Sequence, residues 1–146
     1  ISENAINFVQ NIKIEQKLSN LQLFVHDTQK PYDFGKTDFE FVYSNLALQF
    51  FDISQLSDIF SNIHKILKTD SFFLFSTKKS GDKYHNFGTK LTNHSFEYKN
   101  ITRFFFEKEK LQNILEKQFT IISFEDDSHT NPDNTVSAWW KILVTN

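Results

Sequence analysis

The chain has 146 residues, 39% of them hydrophobic, and a formal net charge of −2, which is the size and composition of one ordinary domain. Aromatics reach 16%, with 18 phenylalanines against 3 glycines and 2 prolines, which excludes a disordered, collagen-like or turn-dense all-β chain. Without cysteine there is no disulfide framework, thiolate metal site or cysteine nucleophile. The charge balance gives no drive toward nucleic acid. No apolar run reaches the roughly 18 residues of a membrane span. The opening residues lack the basic, apolar, small-residue order of a signal peptide. Methionine is absent and residue 1 is Ile, so a piece of a longer protein is expected.

The opening reads as a helix, with Ser2 as its cap, Glu3 in the first turn, and Ala5, Ile6, Val9 and Ile12 on one face. Residues 21–25 read as a strand, stopped by a polar run and Pro31. Residues 39–43 read as a second strand running into the polar stop Ser44-Asn45, and residues 46–51 as a turn or a single helical turn. Asp52 and Gln55 have capping-box spacing, although Ser54 is an equal candidate for the cap. Leu56, Ile59, Phe60, Ile63, Ile66 and Leu67 then keep helical periodicity, closed by Lys68. Residues 71–76 form an unbroken apolar strand of the kind buried on both faces. A long polar stretch, residues 77–102, reads as a loop or lid. A helix over 107–117 follows, then a strand over 119–124, an acidic turn over 125–134, and a last strand over 136–144. This order predicts an α/β domain, its sheet mostly parallel with helices on both faces and an antiparallel final strand pair.

At this point several segments together resemble a class I S-adenosylmethionine-dependent methyltransferase. Phe39-Glu40-Phe41-Val42-Tyr43-Ser44-Asn45-Leu46-Ala47-Leu48-Gln49-Phe50-Phe51 is similar to that family's fourth-strand motif, D-x-V-x-S-N-L-A-L-x-W/F. Ile63-His64-Lys65-Ile66-Leu67-Lys68 resembles the end of the following helix, although Thr69-Asp70-Ser71 stands where Pro-Gly-Gly is usual. Val25-His26-Asp27-Thr28, Phe104-Phe105 and Ser137-Ala138-Trp139-Trp140-Lys141 resemble later and earlier landmarks of the same family, and Ile1-Ser2-Glu3-Asn4-Ala5-Ile6 resembles the segment after its second strand. The resemblance implies a Rossmann-like methyltransferase sheet lacking its first two strands. The glycine-rich loop and the ribose-binding acid would then lie upstream of Ile1, leaving the chain alone a weak binder of its cofactor.

The same resemblance implies S-adenosyl-L-methionine as cofactor, with Asp27 and Thr28 at the adenine and Ser44, Asn45 and Leu46 beside the methionine part. Gln49, Phe50, Tyr84 and His85 would border the substrate. The bland alternatives are a turn or capping Asp at 27, a polar strand end at 44–45, core for Leu46 and a solvated loop around His85. His64 has no partner at helical ligand spacing, so no metal is expected. No catalytic residue is assigned, because in-line displacement at an activated sulfonium needs alignment more than an acid or base. The implied acceptor is a small molecule or a carrier-bound acid, with no nucleic acid or membrane partner. A cytoplasmic location is implied, with organelle import left open. An alternative from another class is an inactive methyltransferase-like binding or assembly protein. Sequence upstream of Ile1 separates the two, since a strand with a G-x-G-x-G loop marks the enzyme. A nicotinamide-binding Rossmann domain fits the antiparallel last pair and Ser44-Asn45-Leu46 poorly.

Overall fold

The computed structural model describes residues 3–35 and 37–146. Ser2, expected to cap the first helix, lies outside them. Helix α1 runs Glu3–Glu15 and buries none of its residues, with Phe8 and Ile14 largely exposed. Strand β1, Phe39–Asn45, leads through a single 3₁₀ turn, Leu48–Phe50, into helix α2, Ile53–Ile66. Strand β2, Leu67–Lys78, is followed by three short strands, β3 Thr89–Thr92, β4 Ser95–Tyr98 and β5 Ile101–Phe104. Helix α3, Lys108–Leu115, and the long strands β6, Thr120–Thr130, and β7, Val136–Thr145, complete the chain.

The main sheet has the order β1-β2-β7-β6, with β1 and β2 parallel and both pairs of β7 antiparallel. The mixed α/β sheet and the antiparallel final pair agree with the sequence, but the sheet is not mostly parallel, because β7 pairs antiparallel with β2 as well as with β6 and only the β1-β2 ladder is parallel. Strand β2 is central, and its Phe73 and Phe75 are fully buried against Phe60 of α2. Leu56, Ile59 and Ile63 of α2, Leu111 and Leu115 of α3, and Ile142 and Val144 of β7 close this core. Burying a Phe or Leu of this kind contributes about 1.5–3 kcal/mol. Helices α2 and α3 therefore cover one face, not both as expected, and α1 buries nothing against the other. Side chains alternate along a strand, so the opposite face carries Phe41, Tyr43 and Phe72, all substantially exposed.

Further expectations are corrected. The acidic segment 125–134 is a turn only at its end, because β6 runs on to Thr130 in its ladder with β7. Residues 21–25 form no strand: they have no ladder partner among the described residues, and of their side chains Phe24 joins a local aromatic cluster. In it Phe24 packs on Phe34 at 4.8 Å and His26 on Tyr32 at 5.1 Å. Residues 77–102 are not one long loop, because β3, β4 and β5 make a separate three-stranded antiparallel sheet. Lys68 does not close α2. The helix ends at Ile66, and Lys68 lies in β2, where its Nζ meets Glu40 of β1 at 2.7 Å.

The α2 start follows the sequence closely. Asp52 Oδ1 accepts the Ser54 and Gln55 backbone N–H groups, each at 2.9 Å, and Gln55 Oε1 accepts the Asp52 N–H at 2.8 Å. This is the reciprocal capping box, and it fixes where the chain leaves the 3₁₀ turn.

Candidate active site

The carboxyl end of β1 is held by Ser76 of β2. Its hydroxyl donates to Asn45 Oδ1 at 2.6 Å, and the Leu46 N–H donates to both the Ser76 hydroxyl, at 3.0 Å, and the Ser76 carbonyl, at 3.1 Å. Leu46 adopts φ +51°, a conformation that costs a bulky L-residue about 1–2 kcal/mol. Strain of this sort gathers at functional sites. Here it turns the chain sharply from β1 toward the 3₁₀ turn carrying Gln49 and Phe50.

Thr28 and Ser44 line one cavity of about 360 Å³ along the open side of β1. Its other walls include Tyr32, Phe34, Val42 and Leu48, and no charged side chain among the described residues lines it. Burial pushes the Tyr32 phenol up to about 12, so it stays neutral. Asp27 does not line this cavity. Its Oδ1 accepts the Gln29 N–H at 3.1 Å and its carbonyl the Lys30 N–H at 2.9 Å, which makes it a turn residue. The Gln29 side chain accepts from Gln55 Nε2 at 2.7 Å, so the turn is tied to the start of α2. Asn45 and Leu46 also lie outside it. Asn45 lines a separate small cavity with Tyr43, Ser76 and Trp139.

The expected substrate-side residues fall into two groups. Phe50 and Tyr84 come together around Arg103 of β5, whose guanidinium carbon lies 4.6 Å from the Tyr84 ring centre and 6.0 Å from that of Phe50. Gln49 is 7% exposed, and its Oε1 is buried without a hydrogen-bond partner among the described residues. His85 packs instead edge-on against Phe96 and Phe105, at 5.3 and 5.1 Å. Burial, and then neighbouring His94, hold its imidazole below the usual range. Arg103 escaped the sequence reading because it falls just after the stretch read as polar loop, residues 77–102, and before the helix read from residue 107. The available signal was its place just before Phe104-Phe105. Among the described residues no group of three His, Asp or Glu side chains could hold a metal ion. No helix among them is long and apolar enough to cross a membrane.

No protein-family model and no curated protein matches the sequence. Solved structures do match. An S-adenosylmethionine-dependent methyltransferase from Methanosarcina mazei superposes with a TM-score of 0.77 at 14% identity, over 100% of this chain and 79% of that one. Another, from Clostridium acetobutylicum, gives 0.75 at 13% identity, over 99% and 72%. The N-methyltransferase NodS of Bradyrhizobium japonicum, bound to S-adenosyl-L-homocysteine, gives 0.64 at 13%, over 94% and 61%. The fold is that of the class I S-adenosylmethionine-dependent methyltransferases. In the methyltransferase fold, as in other open α/β sheets, ligands sit beyond the carboxyl ends of the strands. Ser44 and the 3₁₀ turn occupy that position at the end of β1.

Proposed function

We propose that this protein transfers a methyl group from S-adenosyl-L-methionine to a small-molecule or carrier-bound acceptor. The observation that carries the reading is the convergence of Thr28 and Ser44 on one charge-free cavity in a chain with this fold. The residues present fit the cofactor. Two hydroxyls offer hydrogen bonds, the rings of Tyr32 and Phe34 offer an apolar wall, and no Lys or Arg among the described residues lines the cavity to repel a sulfonium. Thr28 and Ser44 would hold the cofactor, with Asp27 at the adenine edge and the Asn45-Leu46 backbone beside its methionine part. When bound, it supplies an already activated methyl group. The chain's own work is then alignment and exclusion of water. The strained Leu46 and the Ser76 hydrogen bonds fix the path from β1 into the 3₁₀ turn, whose Leu48 lines the cavity. Phe50, Tyr84 and Arg103 form the acceptor side.

Calorimetric titration of the natural full-length protein with S-adenosyl-L-homocysteine tests the reading. Binding in the micromolar range or tighter, roughly −8 kcal/mol, is expected. Thr28→Val and Ser44→Ala should each weaken it. Absence of binding at millimolar ligand overturns the proposal.

A further inference from the structure

Arg103 is the only arginine in the chain. It is half-buried on β5, with its guanidinium against the Tyr84 and Phe50 rings. Neither a hydrogen bond nor an ion pair engages its N–H groups among the described residues. Lys68, Lys78 and Lys79 by contrast each find a carboxylate. A guanidinium carries its charge at every working pH and presents five donors around its planar edge. Contact with the two aromatic rings leaves those donors unspent. Taking part of such a group out of water without an anion is unfavourable unless a ligand supplies one.

A second observation comes from the same junction. Strand β5 packs against the 3₁₀ turn that carries Gln49 and Phe50. Gln49 Oε1 is buried there with no hydrogen-bond partner among the described residues. Unsatisfied buried polar atoms are rare in folded proteins. A strand and a turn in contact thus carry an unspent cation, an unspent acceptor and the exposed ring of Phe50.

We propose that Arg103 anchors a carboxylate of the methyl acceptor through paired N–H···O bonds along its edge. Phe50 and Tyr84 flank the acceptor's apolar body, and Gln49 Oε1 takes a neighbouring N–H or O–H. This rests on the methyltransferase reading of the site. A carboxylate matches because its two oxygens fit one guanidinium fork.

The test uses the full-length protein, saturated with S-adenosyl-L-homocysteine, and two probes of equal shape, 4-fluorophenylacetate and 4-fluorophenylacetamide, followed by fluorine NMR. The acid should bind at least about tenfold tighter than the amide. Arg103→Gln should abolish that preference, and Arg103→Lys should keep only part of it, since an ammonium lacks the fork. The lysine variant also carries the test if Arg103→Gln fails to fold. Lys83 is the control, because its Nζ lies 5.5 Å from the Tyr84 ring. Equal binding of acid and amide, no binding of either, or a preference that survives Arg103→Gln and vanishes in Lys83→Gln overturns the proposal. Cofactor binding is read separately by calorimetry. Its absence overturns the methyltransferase reading, while an Arg103-dependent acid preference still supports the carboxylate anchor.

Discussion

The carboxylate of Asp82 accepts the backbone N–H of Ala138, 2.9 Å away and 56 positions further along the chain. The same carboxylate accepts the Tyr84 N–H at 3.0 Å and pairs with Lys78 Nζ, and both members of the pair are buried. The segment bearing Tyr84 and His85 is thereby pinned to β7 at its first residues.

Removing that anchor leaves Lys78 charged and unpaired in the interior. Asp82→Ala should destabilise the protein by about 3–5 kcal/mol in chemical denaturation. Asp82→Asn keeps an acceptor for Ala138 and should lose less. A loss below about 1 kcal/mol for Asp82→Ala would show that water reaches the pair.

The capping box makes a milder prediction. Asp52→Ala should cost about 1 kcal/mol. Hydrogen bonds from the Ser54 hydroxyl and the Gln55 N–H hold the Asp52 carboxyl below its ordinary value of 3.8. Its contribution is therefore present above that value and lost as pH falls through the lowered folded-state value. Acid-unfolding curves should show a smaller fall for Asp52→Asn than for the parent in that window.

His85 has the opposite consequence for its charged form. Its folded-state value lies below the ordinary 6.5, chiefly through burial and then through His94. The unfolded chain therefore takes up the proton first. Stability should decline as pH drops from 6.5 toward the lowered value and be unaffected by this group at higher pH. Melting temperatures measured across that range should fall less steeply for His85→Gln. Equal slopes would mean that His85 titrates as it does in water.

Asp27→Asn separates the two roles open to that residue. The amide oxygen can still accept the Gln29 N–H, so the turn and the melting temperature should survive. If the carboxylate also meets the cofactor's adenine, affinity for S-adenosyl-L-homocysteine should fall roughly tenfold. Unchanged affinity measured by calorimetry would confine Asp27 to the turn.

Local signals proved legible in the sequence. The Asp52-Gln55 spacing offered the α2 start that the structure adopts, with Ser54 the other candidate, and the period of Leu56, Ile59, Phe60 and Ile63 specified its buried face. The unbroken run around Phe73 specified the central strand. What failed depended on partners far along the chain. Residues 21–25 carry strand-like side chains, but a ladder requires a neighbour, and a local aromatic contact took Phe24 instead. The polar residues 89–104 hid a sheet because only Phe96 of β4 is a large buried side chain there. Thr28 and Ser44, which line the cavity, had been named from the resemblance. Arg103 could not be, since its meaning comes from rings contributed by residues 19 and 53 positions away in the chain.

The small β3-β4-β5 sheet shares no ladder with the main one. Its most exacting position is Gly88, at φ +86°, where any Cβ would stand 2.2 Å from the Glu97 carbonyl oxygen. With that glycine kept, the hairpin tip and the length of its connections are free to diverge without disturbing the register of β2 against β7. One scaffold can in this way carry different appendages, while the parts that fold the protein stay under separate selection.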